Sequence, residues 1–198
     1  MENTWIVYVV AYIMGSIPCG YWFTMYVYRI DIRQKGSGNI GSTNVGRFTS
    51  KRFALFIQVC DMLKGLLPVG LAMYFYGYES VVVYRVALLT VLGHCFSIFT
   101  KFKGGKGVNT AIGSLFLIEP ISVIIGIIVY YMTKHFTHYV SMSSITMSVS
   151  WVLSSLIYHI DEKQVLLSSI LCLVVVLRHR NNIIRLMKGE EPKTVEPY

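Results

Sequence analysis

Long apolar segments separated by short basic loops constrain this 198-residue chain more than any other feature. There are six such segments, at approximately residues 5–28, 53–76, 81–99, 110–133, 139–158 and 164–178. About 20 apolar residues suffice for a helix to cross a bilayer. With 54% hydrophobic and only 14% charged residues, the chain is too apolar for an ordinary soluble domain. The sequence therefore predicts an all-α, polytopic integral membrane protein whose single domain covers residues 1–198.

Composition also argues against several other classes of protein. The net charge of +8 would suit nucleic acid, but the charges lie in short loops rather than along one soluble face. The four cysteines have no metal-ligand spacing and lie within or beside apolar segments, so we expect them to behave as small hydrophobic residues. Glu2 precedes the first apolar segment where a signal peptide would carry positive charge, so we expect a retained spanning helix there. No metal or cofactor is predicted.

The distribution of Lys and Arg predicts the topology. Basic clusters follow the first, third and last apolar segments, and such clusters favour the cytoplasmic side. Six spans would place the last cluster outside. The conflict disappears if residues 110–133 form two short passes that turn at Glu119-Pro120, because proline breaks helices. The prediction is seven transmembrane helices, two of them short, with the N-terminus outside and the C-terminus cytoplasmic.

The loop at residues 93–110 indicates phosphate binding. Lysines alternate with glycines here, so that backbone N–H groups and ammonium groups can converge on one anion. A loop that is basic for topology alone is the alternative. The glycines and the polar neighbours favour phosphate. The residues concerned are His94, Lys101, Lys103, Gly104, Gly105, Lys106, Gly107, Asn109 and Thr110.

A second glycine-rich loop lies at residues 36–47. It matches G-x-G-x-x-G literally at Gly36, Gly38 and Gly41, but a membrane helix precedes it where a dinucleotide fold needs a strand. What remains suits a phosphate or a polyol, although part of the loop also fits a flexible linker. Its polar side chains are Ser37, Thr43, Asn44 and Arg47.

Two further polar pairs lie at helical spacing. Asp61 and Lys64 are one turn apart inside the second apolar segment, where charges mark either a functional site or a buried ion pair that fixes helix packing. His179 and Asn182 share one face of a basic C-terminal stretch. Taken alone, this stretch predicts a helix that lies at the membrane interface. All the polar loops fall on one predicted side of the membrane, so we expect them to converge at the inner surface.

Four signatures occur in this order along the chain: GSGNIGSTNVGR, DMLKG, GHCFSIFTKFKGGKGVNT and HRNNIIRLMKGEE. Together they closely resemble the bacterial acyl-phosphate glycerol-3-phosphate acyltransferase family, and the resemblance covers nearly the whole chain. It implies a seven-helix bacterial cell-membrane enzyme whose active site faces the cytoplasm. That enzyme would transfer an acyl group from long-chain acyl phosphate to the 1-hydroxyl of glycerol 3-phosphate, giving lysophosphatidic acid, and would depend on an enzyme that makes acyl phosphate.

The resemblance and the charge pattern together select site residues. Lys106, Arg47, Ser37 and His179 are the predicted catalytic residues. The predicted substrate-binding residues are Thr43, Asn44, Lys64, His94, Gly104, Gly105, Asn109 and Asn182. The general base stays open between a histidine, His94 or His179, and the phosphate of the substrate itself, which the cationic surroundings of both histidines favour. Ile40, Ser42 and Gly46 depart from the usual family pattern, which predicts a looser first loop.

A transporter or binding protein for organic phosphates is the alternative function. Its basic inner vestibule would need the same lysines, and the short pair at residues 110–133 would be an interrupted helix. The sequence shows no internal repeat of the kind many transporters carry. The acyltransferase therefore remains the preferred prediction.

The predicted topology can be tested by cysteine-accessibility labelling. Single cysteines replacing Ser37 and Lys188 should be labelled from the same, cytoplasmic side, because both lie in predicted inner basic segments. A cysteine replacing Glu79, in a predicted outer turn, serves as the control and should be labelled from the opposite side. Labelling of positions 37 and 188 from opposite sides would contradict the seven-helix topology.

Overall fold

Helices make up the fold. A computed structural model describes residues 4–158 and 161–194, and every regular element in these ranges is an α-helix or a 3-10 turn. The chain divides into two compact units, Met1–Leu117 and Ile118–Tyr198. The prediction of an all-α protein is therefore confirmed for the part of the chain that the structure describes.

The first unit is built on two pairs of packed helices, α1 on α5 and α4 on α6. Two 3-10 turns, Ile32–Gln34 and Ile98–Thr100, lie in its loops. Its helices are α1 (Thr4–Ser16), α2 (Cys19–Tyr28), α3 (Ser42–Gly46), α4 (Lys51–Tyr76), α5 (Val81–Cys95) and α6 (Val108–Phe116).

Glycines bring the paired helices of the first unit close together. Gly15 of α1 lies against the backbone of Thr90 in α5, and Gly65 of α4 lies against the backbone of Thr110 in α6; a Cβ on either glycine would overlap a carbonyl oxygen. Gly93 and Gly113 make the reciprocal contacts from α5 and α6. Helices in a bilayer associate mainly through van der Waals packing, so small residues at the crossing allow the closest approach.

The first apolar segment is not one continuous helix. It breaks at Ile17-Pro18, between α1 and α2, although Thr4–Tyr28 is still one segment long and apolar enough to cross a membrane, as predicted. The two carbonyl groups beside the break accept side-chain hydrogen bonds: Ser97 Oγ donates to Ser16 O (2.5 Å) and Lys64 Nζ donates to Ile17 O (2.8 Å). These tertiary donors satisfy backbone that a regular helix would have satisfied internally.

The second unit contains α7 (Pro120–Thr137), α8 (Val140–Ile157), α9 (Glu162–Arg178) and α10 (Arg180–Met187). Helix α8 packs against both α7 and α9. Gly126 of α7 lies against the Trp151 ring of α8, and Thr133 and Thr146 share a hydrogen bond of 2.9 Å between the same two helices. The axis bends by 59° between α9 and α10.

Within the described ranges, five segments are long and apolar enough to cross a membrane, and the bent pair α9–α10 makes a sixth when counted as one span. The helix break predicted at Glu119-Pro120 is confirmed, because α6 ends at Phe116 and α7 begins at Pro120. The prediction of two short passes is wrong for the second of them: α7 has 18 residues. Helix α6, with nine residues, rises only about 14 Å.

Glu119 is buried, although the sequence placed it in an exposed outer turn. It immediately precedes α7 and is 2% exposed. Ser155 of α8 donates to its Oε2 (2.5 Å), and Ser168 of α9 donates to Ser155 Oγ (3.3 Å). Burial raises the pKa of the Glu119 carboxyl, and the hydrogen bond from Ser155 offsets only part of this effect. Folding therefore favours the neutral carboxylic acid relative to the unfolded chain.

Replacement of Glu119 should change how stability depends on pH. Because folding raises its pKa, Glu119 favours the folded state below the ordinary carboxyl pKa, and this contribution is lost as the pH rises through the folded pKa. The thermal stability of the detergent-solubilised protein should therefore fall less steeply with rising pH in Glu119→Gln than in wild type. At neutral pH we expect a gain on the order of 1 kcal/mol, about 2–4 °C in Tm. Glu79→Gln, at an exposed carboxylate, is the control. If Tm depends on pH equally in Glu119→Gln and in wild type, the raised pKa of Glu119 in the folded state would be contradicted.

Candidate active site

The first polar loop is anchored by a small apolar cluster. Ile32, Ile40 and Val45, from the turn before the loop and from the loop itself, pack with Ile57 of α4, and each is at most 2% exposed. Ser42 is also buried. The loop is thus tightly packed at Ile40 and Ser42, two of the positions where departures from the family pattern predicted a looser conformation.

Asn44 organises this loop from within. Its Nδ2 donates to the carbonyl oxygens of Lys35 (3.0 Å) and Asn39 (2.9 Å), and its Oδ1 accepts from the Ser37 N–H (3.1 Å). The side chain is 3% exposed. The contacts of Asn44 therefore fix the path of the loop that carries Ser37.

The other predicted residues of this loop have exposed side chains. Ser37, Thr43 and Arg47 all reach the surface. Thr43 and Arg47 are four residues apart, at the spacing that places side chains on one face of a helical segment. The loop thus presents two hydroxyl groups and a guanidinium group, which match phosphate and polyol oxygens.

The second polar loop follows α5 and uses two glycine amides internally. Gly104 N–H donates to Cys95 O (3.1 Å), and Gly105 N–H donates to His94 O (3.0 Å). A Cβ at position 104 would overlap the His94 carbonyl, and one at position 105 would overlap the His94 ring. This corrects the expected cradle: these two glycines permit close packing on His94, and their amides do not point to a ligand.

The start of α6 has the features of a helix N-terminus that suits an anion. Gly107 has φ +83°, a left-handed conformation that favours glycine, and α6 begins directly after it. The first-turn amides of a helix have no intrahelical acceptor and carry the positive end of its dipole. Lys106 lies half-buried beside this helix end. Asn109 Nδ2 donates to Ser42 Oγ (3.2 Å), which connects this helix end to the first polar loop.

Asp61, Lys64 and His94 form a buried cluster behind these loops. Lys64 Nζ lies 2.9 Å from Asp61 Oδ1, and His94 Nδ1 lies 3.7 Å from the same oxygen. All three side chains are at most 6% exposed. Two of the three donors of the Lys64 ammonium group are directed to Asp61 and Ile17 O. The sequence left open whether Asp61 and Lys64 form a buried ion pair, and the structure shows one.

His179 of the second unit lies at the bend between α9 and α10 and is 2% exposed. Its Nδ1 is 2.7 Å from Val175 O. Because a carbonyl oxygen only accepts, Nδ1 carries the proton of this bond. The neutral ring therefore has its lone pair on Nε2, which suits it to accept a hydrogen bond or a proton.

Glu191 orients Asn182 and is the residue that sequence reasoning missed. Asn182 Nδ2 donates to Glu191 Oε1 (2.6 Å), and Arg185 Nε donates to Glu191 Oε2 (2.7 Å). Burial raises the pKa of the Glu191 carboxyl, but the polar side chains of Ser141, Asn182 and Arg185 outweigh burial and hold the pKa below its ordinary value. The ionised carboxylate only accepts, which leaves Asn182 Oδ1 as an acceptor. The signal in the sequence was the acidic end of HRNNIIRLMKGEE.

No group of three or more His, Cys, Asp or Glu side chains within residues 4–158 and 161–194 is arranged to hold a metal ion. All four cysteines are free thiols.

Comparison with known proteins decides the family. A family model described as glycerol-3-phosphate acyltransferase matches residues 5–189, which includes every predicted site residue. The chain belongs to the glycerol-3-phosphate acyltransferase family. A glycerol-3-phosphate acyltransferase of Clostridium acetobutylicum is 38% identical over 196 residues, covering 94% of this chain and 97% of the relative. One of Campylobacter concisus is 38% identical over 205 residues, covering 98% and 100%.

Two solved structures of a glycerol-3-phosphate acyltransferase share the fold. The crystal structure of PlsY (YgiH), an integral membrane glycerol 3-phosphate acyltransferase, in its glycerol 3-phosphate form has a TM-score of 0.93 and 33% identity, covering 98% of this chain and 96% of that chain. The lysophosphatidic acid form has a TM-score of 0.90 and 32% identity, covering 97% and 95%. The present protein is accordingly a multi-pass membrane acyltransferase.

Proposed function

We propose that the protein transfers an acyl group from acyl phosphate to the 1-hydroxyl of glycerol 3-phosphate, releasing lysophosphatidic acid and phosphate. Family membership supports the acceptor and the type of reaction. The observation that carries the proposal is the junction of the two polar loops at Asn109 and Ser42, where a helix N-terminus and Lys106 join a loop bearing Arg47 and Ser37. Such a combination suits a ligand with both phosphate and hydroxyl groups.

The chemistry of each predicted residue suggests a role. Arg47, Lys106 and the amides at the start of α6 would bind phosphate oxygens, and Ser37, Thr43 and Asn109 would hydrogen-bond phosphate or glycerol oxygens. His179 Nε2 and Asn182 Oδ1 are acceptors, so they suit the hydroxyl groups of glycerol. The family model covers both units, and we assign the residues of both to this one activity and to one acyltransferase domain.

The reaction needs positioning more than a strong nucleophile. The hydroxyl oxygen of glycerol attacks the acyl carbonyl carbon, the bond from that carbon to the phosphate oxygen breaks, and phosphate leaves with the electron pair. Acyl phosphate is a mixed anhydride and already activated, so cations that stabilise the developing negative charge and groups that orient the hydroxyl supply most of the catalysis. The hydroxyl proton passes to a phosphate oxygen or to His179 Nε2.

We further propose the predicted topology and location. Seven membrane segments, with α6 as a half-span, place the N-terminus outside and the C-terminus and active site on the cytoplasmic side of a bacterial cell membrane. The Lys and Arg distribution supports this arrangement. Long-chain acyl phosphate would reach the site from the bilayer, after synthesis by an enzyme that activates fatty acids as acyl phosphates.

The activity and the role of Lys106 can be tested together. Purified protein in lipid, given acyl phosphate, should release orthophosphate only when glycerol 3-phosphate is added, whereas a transporter or binding protein would release none.

Lys106→Ala should lose at least ~2 kcal/mol of transition-state stabilisation, about 30-fold in kcat/KM, because it removes an anion contact. Lys106→Arg should also have a low kcat/KM, since the planar guanidinium group of arginine does not replace the compact ammonium charge of lysine. Lys163→Ala, at an exposed lysine outside both polar loops, is the control. Near-normal turnover of Lys106→Ala would exclude this role.

The identity of the base can be tested with His179→Gln. If the substrate phosphate takes the proton, the variant should bind glycerol 3-phosphate more weakly and keep the acidic limb of its pH profile, because phosphate itself titrates near pH 6. If His179 is the base, kcat should fall by about 10²-fold or more and the acidic limb should vanish. We expect the first result. His135→Gln, at an exposed histidine, should behave as wild type.

A further inference from the structure

The buried pair of Asp61 and Lys64 has contacts that lead to both polar loops. Burying two charges is expensive, and their mutual attraction repays it only when the remaining donors and acceptors are satisfied. Lys64 also donates to Ile17 O, and Asp61 Oδ1 lies 3.7 Å from His94 Nδ1, a contact that is longer than a hydrogen bond. Each partner therefore connects α4 to a different part of the first unit.

The lysine connects to the first loop. Ile17 precedes the proline at which the first span breaks, so the hydrogen bond from Lys64 fixes the point where α2 begins. Gly20, in the first turn of α2, packs directly on the Ile40 carbonyl, with no room for a Cβ. Ile40 belongs to the apolar cluster beneath the loop that carries Ser37 and Arg47. A shift of the ammonium group would therefore move this loop through α2.

The carboxylate connects to the second loop. Asp61 Oδ1 lies 3.7 Å from His94 Nδ1, and the opposite side of the His94 ring lies against Gly105. Gly105 N–H also donates to His94 O, which fixes the residue before Lys106 to the end of α5. Since the hydrogen bond between Asn109 and Ser42 joins the two loops directly, a displacement of one loop would also displace the other.

We infer that the Asp61–Lys64 pair is a positioning pair that holds the two substrate-binding loops in register, and that Lys64 is not itself a substrate contact. This rests on the proposed function, since it concerns how those loops bind glycerol 3-phosphate. It replaces the direct contact that the sequence predicted for Lys64.

The test compares substrate binding with folding stability in the same set of variants. For Asp61→Asn and Lys64→Met we expect the KM for glycerol 3-phosphate, and its Kd measured without acyl phosphate, to rise at least about 10-fold, with a smaller change in kcat. The double variant Asp61→Asn/Lys64→Gln keeps a donor and an acceptor without an uncompensated charge, so it should recover much of this loss. Lys163→Met, at an exposed lysine, is the control.

The charge exchange Asp61→Lys/Lys64→Asp separates positioning from stability. It restores an ion pair and should recover Tm, but a carboxylate at position 64 cannot donate to Ile17 O, so KM should stay high. Recovery of KM in step with Tm would show a merely structural pair and overturn the inference, as would a KM within twofold of wild type in Lys64→Met. If a single variant does not fold, KM and Tm are compared in the double variant and in the charge-exchange variant instead.

Wild type and Arg47→Ala are assayed in parallel with the pair variants. An inactive wild type would contradict the proposed function. If wild type is active, Arg47→Ala is impaired and the pair variants are unaffected, only the inference is contradicted.

Discussion

Backbone at membrane depth must find its hydrogen-bond partners within the protein, and the break in the first span depends on this constraint. Ser16 O and Ile17 O receive donors from Ser97, after α5, and from Lys64 of α4. The break therefore ties three segments of the first unit together at one point. Because α2 begins at this break and leads towards the first polar loop, the start of α2 is held by two donors that are far from it in sequence.

Local patterns predicted the elements whose causes are local. The apolar run that became α4 and the break at Glu119-Pro120 both follow from composition and from proline. Proline alone does not decide the outcome, since the helix breaks at Pro18 whereas α4 continues across Pro68. One difference is tertiary: side-chain donors from other segments satisfy the carbonyls beside Pro18.

The chemistry of the candidate site was predictable by residue type and much less by contact. Ser37, Thr43 and Arg47 were identified from their polar groups and are exposed. Asn44, Gly104 and Gly105 were identified by the same reasoning, yet their hydrogen bonds run inside the loops. A glycine that permits a close approach to a ligand and a glycine that permits a close approach to His94 are identical in sequence. Only the fold shows which surface the missing side chain would have met.

The acceptor groups of the second unit are each defined by one fixed bond. Val175 O accepts a hydrogen bond from His179 Nδ1, and the Glu191 carboxylate accepts one from Asn182 Nδ2. In each case the remaining polar atom, Nε2 or Oδ1, is an acceptor, and an acceptor selects a hydroxyl over an anion. The first unit instead concentrates cations and helix-terminal amides, which select an anion. In the proposed reaction the acyl donor is already activated, so catalysis requires mainly that the attacking hydroxyl be held in position.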